Sequence, residues 1–179
     1  HAAQLVLLNS NFACLPQVVA EGRRVINNIQ RSAALFLVKN IFSFCLSLLT
    51  IFVDMPYPLV PIQLSLISAL TIGFPSFVLA LEPNKNRISG RFMTNVLRDA
   101  FPGGLTDLII VLGVQAFAFA FDFSTASLST LCALCVAFVG LLVLYQVCKP
   151  FDLKRRVLWG GVTAAMLLCV VFLRDFFSL

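Results

Sequence analysis

Five polar side chains sit where an otherwise apolar sequence has little use for them. Lys39, Asn40 and Ser43 lie in one apolar run, Ser68 and Thr71 in the next. Amide and hydroxyl oxygens are hard ligands of the kind that bind cations. A lysine at bilayer depth costs about 2.5–3.5 kcal/mol on insertion scales, so it faces protein or a polar path. Helical spacing groups these residues. Asn40, Ser43 and Ser47 follow one another at three and four residues, Lys39 is four from Ser43, and Ser65, Ser68 and Thr71 repeat every three. The chemistry expected is a cation site between two neighbouring helices, with Asn40 facing Thr71 and with Ser43 and Ser68 adding oxygens. Lys39 would act as an internal counter-charge or proton carrier. Ser47 and Ser65 are read as small residues that let helices pack closely.

The second run also holds Pro61, Gly73 and Pro75. A proline inside a helix removes one backbone hydrogen bond. In a membrane, such a break survives only where protein or a polar cavity satisfies the freed groups. These three positions are therefore expected to break the helix beside the site.

The elements that must position these residues follow from composition. The chain of 179 residues is 60% hydrophobic and only 12% charged, against about a quarter charged in soluble domains. A net charge of +5 would suit nucleic acid, but the basic residues fall in short clusters between apolar runs. That is a topology signal, and the expected surroundings are a lipid bilayer, not nucleic acid. The six cysteines lie mostly within apolar segments, where Cys behaves as a small hydrophobe. Cys132-x-x-Cys135 has neither a second pair nor a nearby His, so no Cys-type metal site or disulfide framework is expected.

The fold class is an all-α polytopic membrane protein. About five spans are expected, over residues 32–53, 59–81, 102–121, 127–147 and 157–173, each near the roughly 20 residues a spanning helix needs. With this count every basic cluster falls on one side, which makes the N-terminus cytoplasmic. The odd span count suggests a further helix beyond the last. Residues 5–8 fit a buried strand whose sheet belongs to a preceding domain. Residues 12–19 read as a short helical turn, and from Ala20 a helix carries Arg23, Arg24 and Arg31 to the interface. Pro102-Gly103-Gly104 is read as the start of the third span. Asp107 then lies one turn in; a functional carboxylate is one reading, and the favoured one is an acid that gains from the helix dipole.

Several segments together resemble a known family. Val19-Ala20-Glu21-Gly22-Arg23-Arg24-Val25-Ile26-Asn27-Asn28-Ile29 is similar to the link between phosphorylation domain and fifth membrane helix in P-type cation-transporting ATPases. Pro61-Ile62-Gln63-Leu64 and Leu70-Thr71-Ile72-Gly73-Phe74-Pro75 look like their sixth helix, and Glu82-Pro83-Asn84 like the following loop. The match is good over the first half; the later spans agree in number and length.

The resemblance implies an ATP-driven cation pump of the bacterial plasma membrane. Residues 1–19 would be the tail of a HAD-like phosphorylation domain and 20–179 the C-terminal transport domain. The actuator, nucleotide-binding and phosphorylation domains would lie upstream in the same protein. They would hold the ATP and Mg²⁺ sites, so no catalytic residue is expected in this chain. Asn40 and Thr71 match ligand positions of calcium pumps. Ser43 stands where those pumps have a Glu, Ser68 where they have an Asn, and Ile72 where they have an Asp. The Lys39-Asn40 pair resembles proton/potassium-exchanging members, and the Cys-Pro-Cys motif of heavy-metal pumps is absent from the sequence. The overall resemblance is closest to a bacterial cation-transporting subgroup, with calcium a candidate ion. The alternatives are a related pump moving lipid or peptide, or a membrane scaffold or channel.

Overall fold

A computed structural model describes residues 12–53, 56–84 and 86–172. The strand expected over residues 5–8 lies outside them. A short 3₁₀ turn, Phe12–Cys14, leads into α1 (Leu15–Val53). The second span comprises α2 (Pro61–Ser68), a π-helical turn (Ala69–Gly73) and α3 (Phe74–Ala80). Then follow α4 (Phe92–Ala120), α5 (Thr125–Val147) and α6 (Leu153–Phe172). Five of the helical stretches are long and apolar enough to cross a membrane, and the described residues form no strand. The molecule is an all-α, multi-pass membrane bundle.

Helix boundaries depart from expectation in three places, each with a local reason. Residues 15–19 open α1 in place of forming a separate turn, so α1 runs unbroken for 39 residues. At 1.5 Å per residue that is about 58 Å, nearly twice a bilayer core of about 30 Å. Its charged first half therefore has room to project beyond the membrane. The third helix begins at Phe92, and Pro102 lies inside it. Proline's fixed φ suits a helix, and such positions are tolerated in spans where neighbouring groups adjust. Likewise α6 starts at Leu153, which brings Arg155 into its first turn.

The expected break in the second span takes another form. Pro61 opens α2 as a first-turn residue, where its missing N–H would have had no helical partner anyway. Across Gly73 and Pro75 the backbone stays helical, and the departure is the wide π turn, closed by Phe74 N–H to Ala69 C=O. Such turns recur at functional sites, and this one carries buried Thr71 and Ile72.

Helix α1 buries Leu35, Val38, Phe42 and Leu46 at helical spacing. Its closest neighbour is α4, because Gly103 and Gly104 leave no side chain between the two backbones: Gly104 faces Ile41 and the Val38 carbonyl, and Gly103 faces Val38 and Val143. Two apolar clusters fill the bundle. One is built around Phe42, Leu46, Val111, Cys132 and Val136; the other around Leu35, Ile72, Leu144, Leu158 and Val162. Phe44, Phe52, Phe77, Ile109, Phe119 and Phe172 point outward, as lipid-facing aromatic and aliphatic side chains do.

At the basic end, loop and helices are tied by mostly half-buried polar contacts. Glu82 accepts from Arg31 at 2.8 Å and from Arg155 through Nε at 2.7 Å and Nη2 at 2.8 Å. Arg155 also donates to the Pro150 carbonyl at 2.8 Å. The Asn28 amide donates to the Ala80 and Glu82 carbonyls at 2.9 and 2.8 Å, and Asn27 to that of Asn86 at 2.9 Å. Burial alone would raise the Glu82 pKa, but the hydrogen bonds and charges of Arg155 and Arg31 outweigh it and hold the carboxyl below its ordinary range. At the opposite end Gln63, itself buried, accepts from Ser129 Oγ at 2.8 Å and from the Val60 N–H at 3.3 Å.

Candidate functional site

Between α1, α2, the π turn, α4 and α5 lies a cavity of about 30 Å³, roughly the room of one water molecule. Its polar lining comes from Lys39, Ser68, Thr71 and Asp107. Thr71 is buried and donates its hydroxyl proton to the Ile67 carbonyl at 2.7 Å; Ser68 donates to the Leu64 carbonyl at 2.6 Å. With their protons committed along the helix, both hydroxyls keep oxygen lone pairs for other partners. Gly140 of α5 makes space for Thr71: a Cβ there would come within 3.1 Å of its methyl and 3.2 Å of its hydroxyl.

Of the residues singled out in the sequence, Lys39, Ser68 and Thr71 come together. Asn40 does not join them; it lies on the exposed side of α1. The helical period explains this. Val38 and Phe42 define the buried face, and Asn40 is two residues from each, about 200° around the helix. Asn40 and Thr71 therefore do not face one another within the described bundle. Ser43 is half-buried and is not part of the cavity lining. Burial raises the pKa of Tyr57, in the connection before α2, and the neighbouring Ser43 works the other way. Gly73 and Pro75 lie in and just after the π turn, and Pro61 sits at the far end of α2.

Asp107 is the residue whose place the sequence mislocated. It is only 3% exposed. With α4 starting at Phe92, it lies about four turns inside the helix, beyond the reach of the terminal dipole. Its Oδ1 is buried and meets no hydrogen-bond donor among the described residues. A wider polar recess of about 430 Å³, lined in part by Asn27, Gln30, Asp99 and Thr106, lies on the side of the basic end and shares Val143 with the small cavity. No group of three or more His, Cys, Asp or Glu side chains lies together among the described residues.

Comparison with known proteins places this bundle. The chain is 36% identical, over 177 residues and 92% of its length, to a probable cation-transporting ATPase, exp7, of Streptococcus pneumoniae, of which it spans 23%. The chain belongs to the P-type cation-transporting ATPases. It is also 43% identical over 125 residues (64% of the chain, 15% of the relative) to the calcium-transporting ATPase CtpE of Mycobacterium tuberculosis. The human potassium-transporting ATPase alpha chain 2 is 37% identical over 91 residues, 51% of the chain and 9% of that protein. The chain thus spans about a quarter or less of the length of these relatives. No family model and no solved structure matches it.

Family membership gives the basic-end network its context. Asn27, Asn28 and Arg31, in or next to the first resembling segment, contact residues in or around the Glu82-Pro83-Asn84 segment more than 50 residues later. Arg155, the third member of the ion-pair cluster, was not singled out in the sequence. A basic residue in a helix's first turn reads as an interfacial anchor until its partner on another element is known.

Proposed function

We propose that the chain is the C-terminal transport portion of an ATP-driven cation pump in a bacterial plasma membrane, with its basic end cytoplasmic. In this reading ATP and Mg²⁺ bind the actuator, nucleotide-binding and phosphorylation domains elsewhere in the same protein. Residues 1–19, the last five of which open α1, are the tail of the phosphorylation domain, and α1 carries its movement into the bilayer. Calcium is the transported ion, as the name of the mycobacterial relative suggests. The similarity to relatives named for cations favours an ion over the lipid or peptide alternative.

The observation that carries the site is the meeting of Thr71, Ser68 and Lys39 on one cavity at a π turn. The two hydroxyls offer neutral oxygens, and Lys39 supplies a positive charge that the cation must displace or replace. Asn40 and Ser43 stay outside this cavity. The test is calcium-stimulated ATP hydrolysis and calcium uptake by the full-length protein in proteoliposomes. Thr71→Ala should raise the calcium concentration for half-maximal stimulation several-fold. Hydrolysis indifferent to calcium in the unaltered pump would refute the calcium assignment.

A further inference from the structure

We propose that Asp107 of α4 supplies the anionic ligand of a cation site in this cavity, joined by the hydroxyl oxygens of Thr71 and Ser68. The inference deepens the transport reading and rests on it for its physiological role. It adds a third helix to a site that the sequence assigned to two.

The accounting of donors and acceptors leads there. A buried carboxylate without compensation costs several kcal/mol, and a buried polar atom lacking a hydrogen bond calls for a specific explanation. Asp107 is 3% exposed with Oδ1 unpartnered. The hydroxyls that line the same cavity are those of Thr71 and Ser68, whose protons already go to the Ile67 and Leu64 carbonyls. They turn lone pairs, not protons, toward the space. Apart from the Lys39 ammonium, the cavity is thus rich in acceptors and poor in donors. Among the described residues neither Lys39 nor Asp107 forms an ion pair; those that do are Arg24 with Glu21 and the Arg31–Glu82–Arg155 group. What this arrangement lacks is positive charge in contact with oxygen.

Size agrees. About 30 Å³ holds one small dehydrated ion or one water, not an organic cation. Carboxylate and hydroxyl oxygens are ligands of hard cations. Thr106, the residue before Asp107, lines the polar recess that shares Val143 with the cavity. Lys39 lines the cavity on a flexible stem and competes with the ion for the carboxylate.

The experiment is equilibrium binding of radioactive calcium to the purified full-length pump, with calcium-stimulated hydrolysis measured alongside. Asp107→Asn should weaken binding tenfold or more, Asp107→Glu less, and Lys39→Ala should tighten it several-fold. Calcium binding by Asp107→Asn equal to the unaltered protein, or no binding by the unaltered protein, would overturn the proposal. If Asp107→Asn fails to reach the membrane, Asp107→Glu decides: a shifted affinity supports the site and an unchanged one overturns it. The two readings fail separately. Calcium bound through Asp107 without stimulated hydrolysis refutes the pump assignment alone; stimulation unaltered in Asp107→Asn refutes the site alone.

Discussion

Replacing Gly104 by alanine tests whether the contact of α1 with α4 organises the bundle. An added Cβ would lie 2.8 Å from Ile41 Cγ2, 2.9 Å from Ile41 Cβ and 3.0 Å from the Val38 carbonyl oxygen. Comfortable carbon contacts are about 3.5–4.0 Å, so α4 must withdraw by about 0.5–1 Å. The obstacles are stiff: Ile41 is β-branched, and a backbone oxygen cannot rotate aside. Overpacking of this kind costs about 1–3 kcal/mol, and these atoms place Gly104 toward the upper end. Alanine recovers at most about 1 kcal/mol of helix propensity over glycine. The net loss is then about 2 kcal/mol. Gly113, on the same helix, has nothing within 4 Å of the Cβ position, so Gly113→Ala keeps the propensity gain without the clash. Thermal unfolding of the full-length protein in detergent can be followed with a thiol-reactive dye, since Cys132 and Cys148 are 0% exposed until the bundle opens. Gly104→Ala should react at a lower temperature than the unaltered protein, and Gly113→Ala no lower. A Gly104→Ala variant as heat-resistant as Gly113→Ala would refute the close-packing argument.

Other perturbations probe the remaining parts. Glu82→Gln leaves Arg31 and Arg155 without their carboxylate and should cost about 3 kcal/mol, the lower end for a broken buried pair, read as a lower melting temperature. Because the folded Glu82 pKa is depressed, its stabilisation is fully present above the ordinary glutamate value of about 4.3 and is lost as pH falls through the lower folded value. The melting gap between the unaltered protein and Glu82→Gln should therefore close only below about pH 4.3; a gap already closing near neutrality would contradict the ion-pair account. Gln63→Leu removes the acceptor of Ser129 Oγ in a buried setting and should destabilise by about 1–3 kcal/mol; adding Ser129→Ala should restore part of that loss. Gly140→Ala pushes on Thr71 by a few tenths of an ångström, so it should shift the calcium dependence of hydrolysis more than the melting temperature, and the reverse order would separate Thr71 from the site.

The five spans were legible because hydrocarbon selects for length and apolarity, which can be counted along the chain. Which side of each span turns inward was not legible. In water the buried side of a helix stands out as its apolar side, whereas in a bilayer lipid and neighbouring helices are both apolar. Three-residue spacing correctly grouped Ser68 with Thr71, yet it gave no reason to choose the face of Asn40 over that of Val38 and Phe42. The choice is made by α4, whose Gly103 and Gly104 draw Val38 and Ile41 toward them.

Asp107 shows the same limit and a way past it. Reading Pro102 as a helix start placed the acid at a favourable terminus and made the dipole the favoured account over a functional carboxylate; a helix running from Phe92 removes that account. The sequence still held one clue. The residues three and four positions away are Gly103, Gly104, Ile110 and Val111, none of which can pair with a carboxylate along the helix. Once it lies mid-span, its compensation has to come from a different helix, a bound ion or a proton. It shares the cavity with two hydroxyls that have no proton to offer and a lysine not paired with it. Of those three sources, an ion held between the carboxylate and the hydroxyls engages all three oxygen-bearing side chains of the lining, whereas the single proton of a neutral Asp107 serves one acceptor.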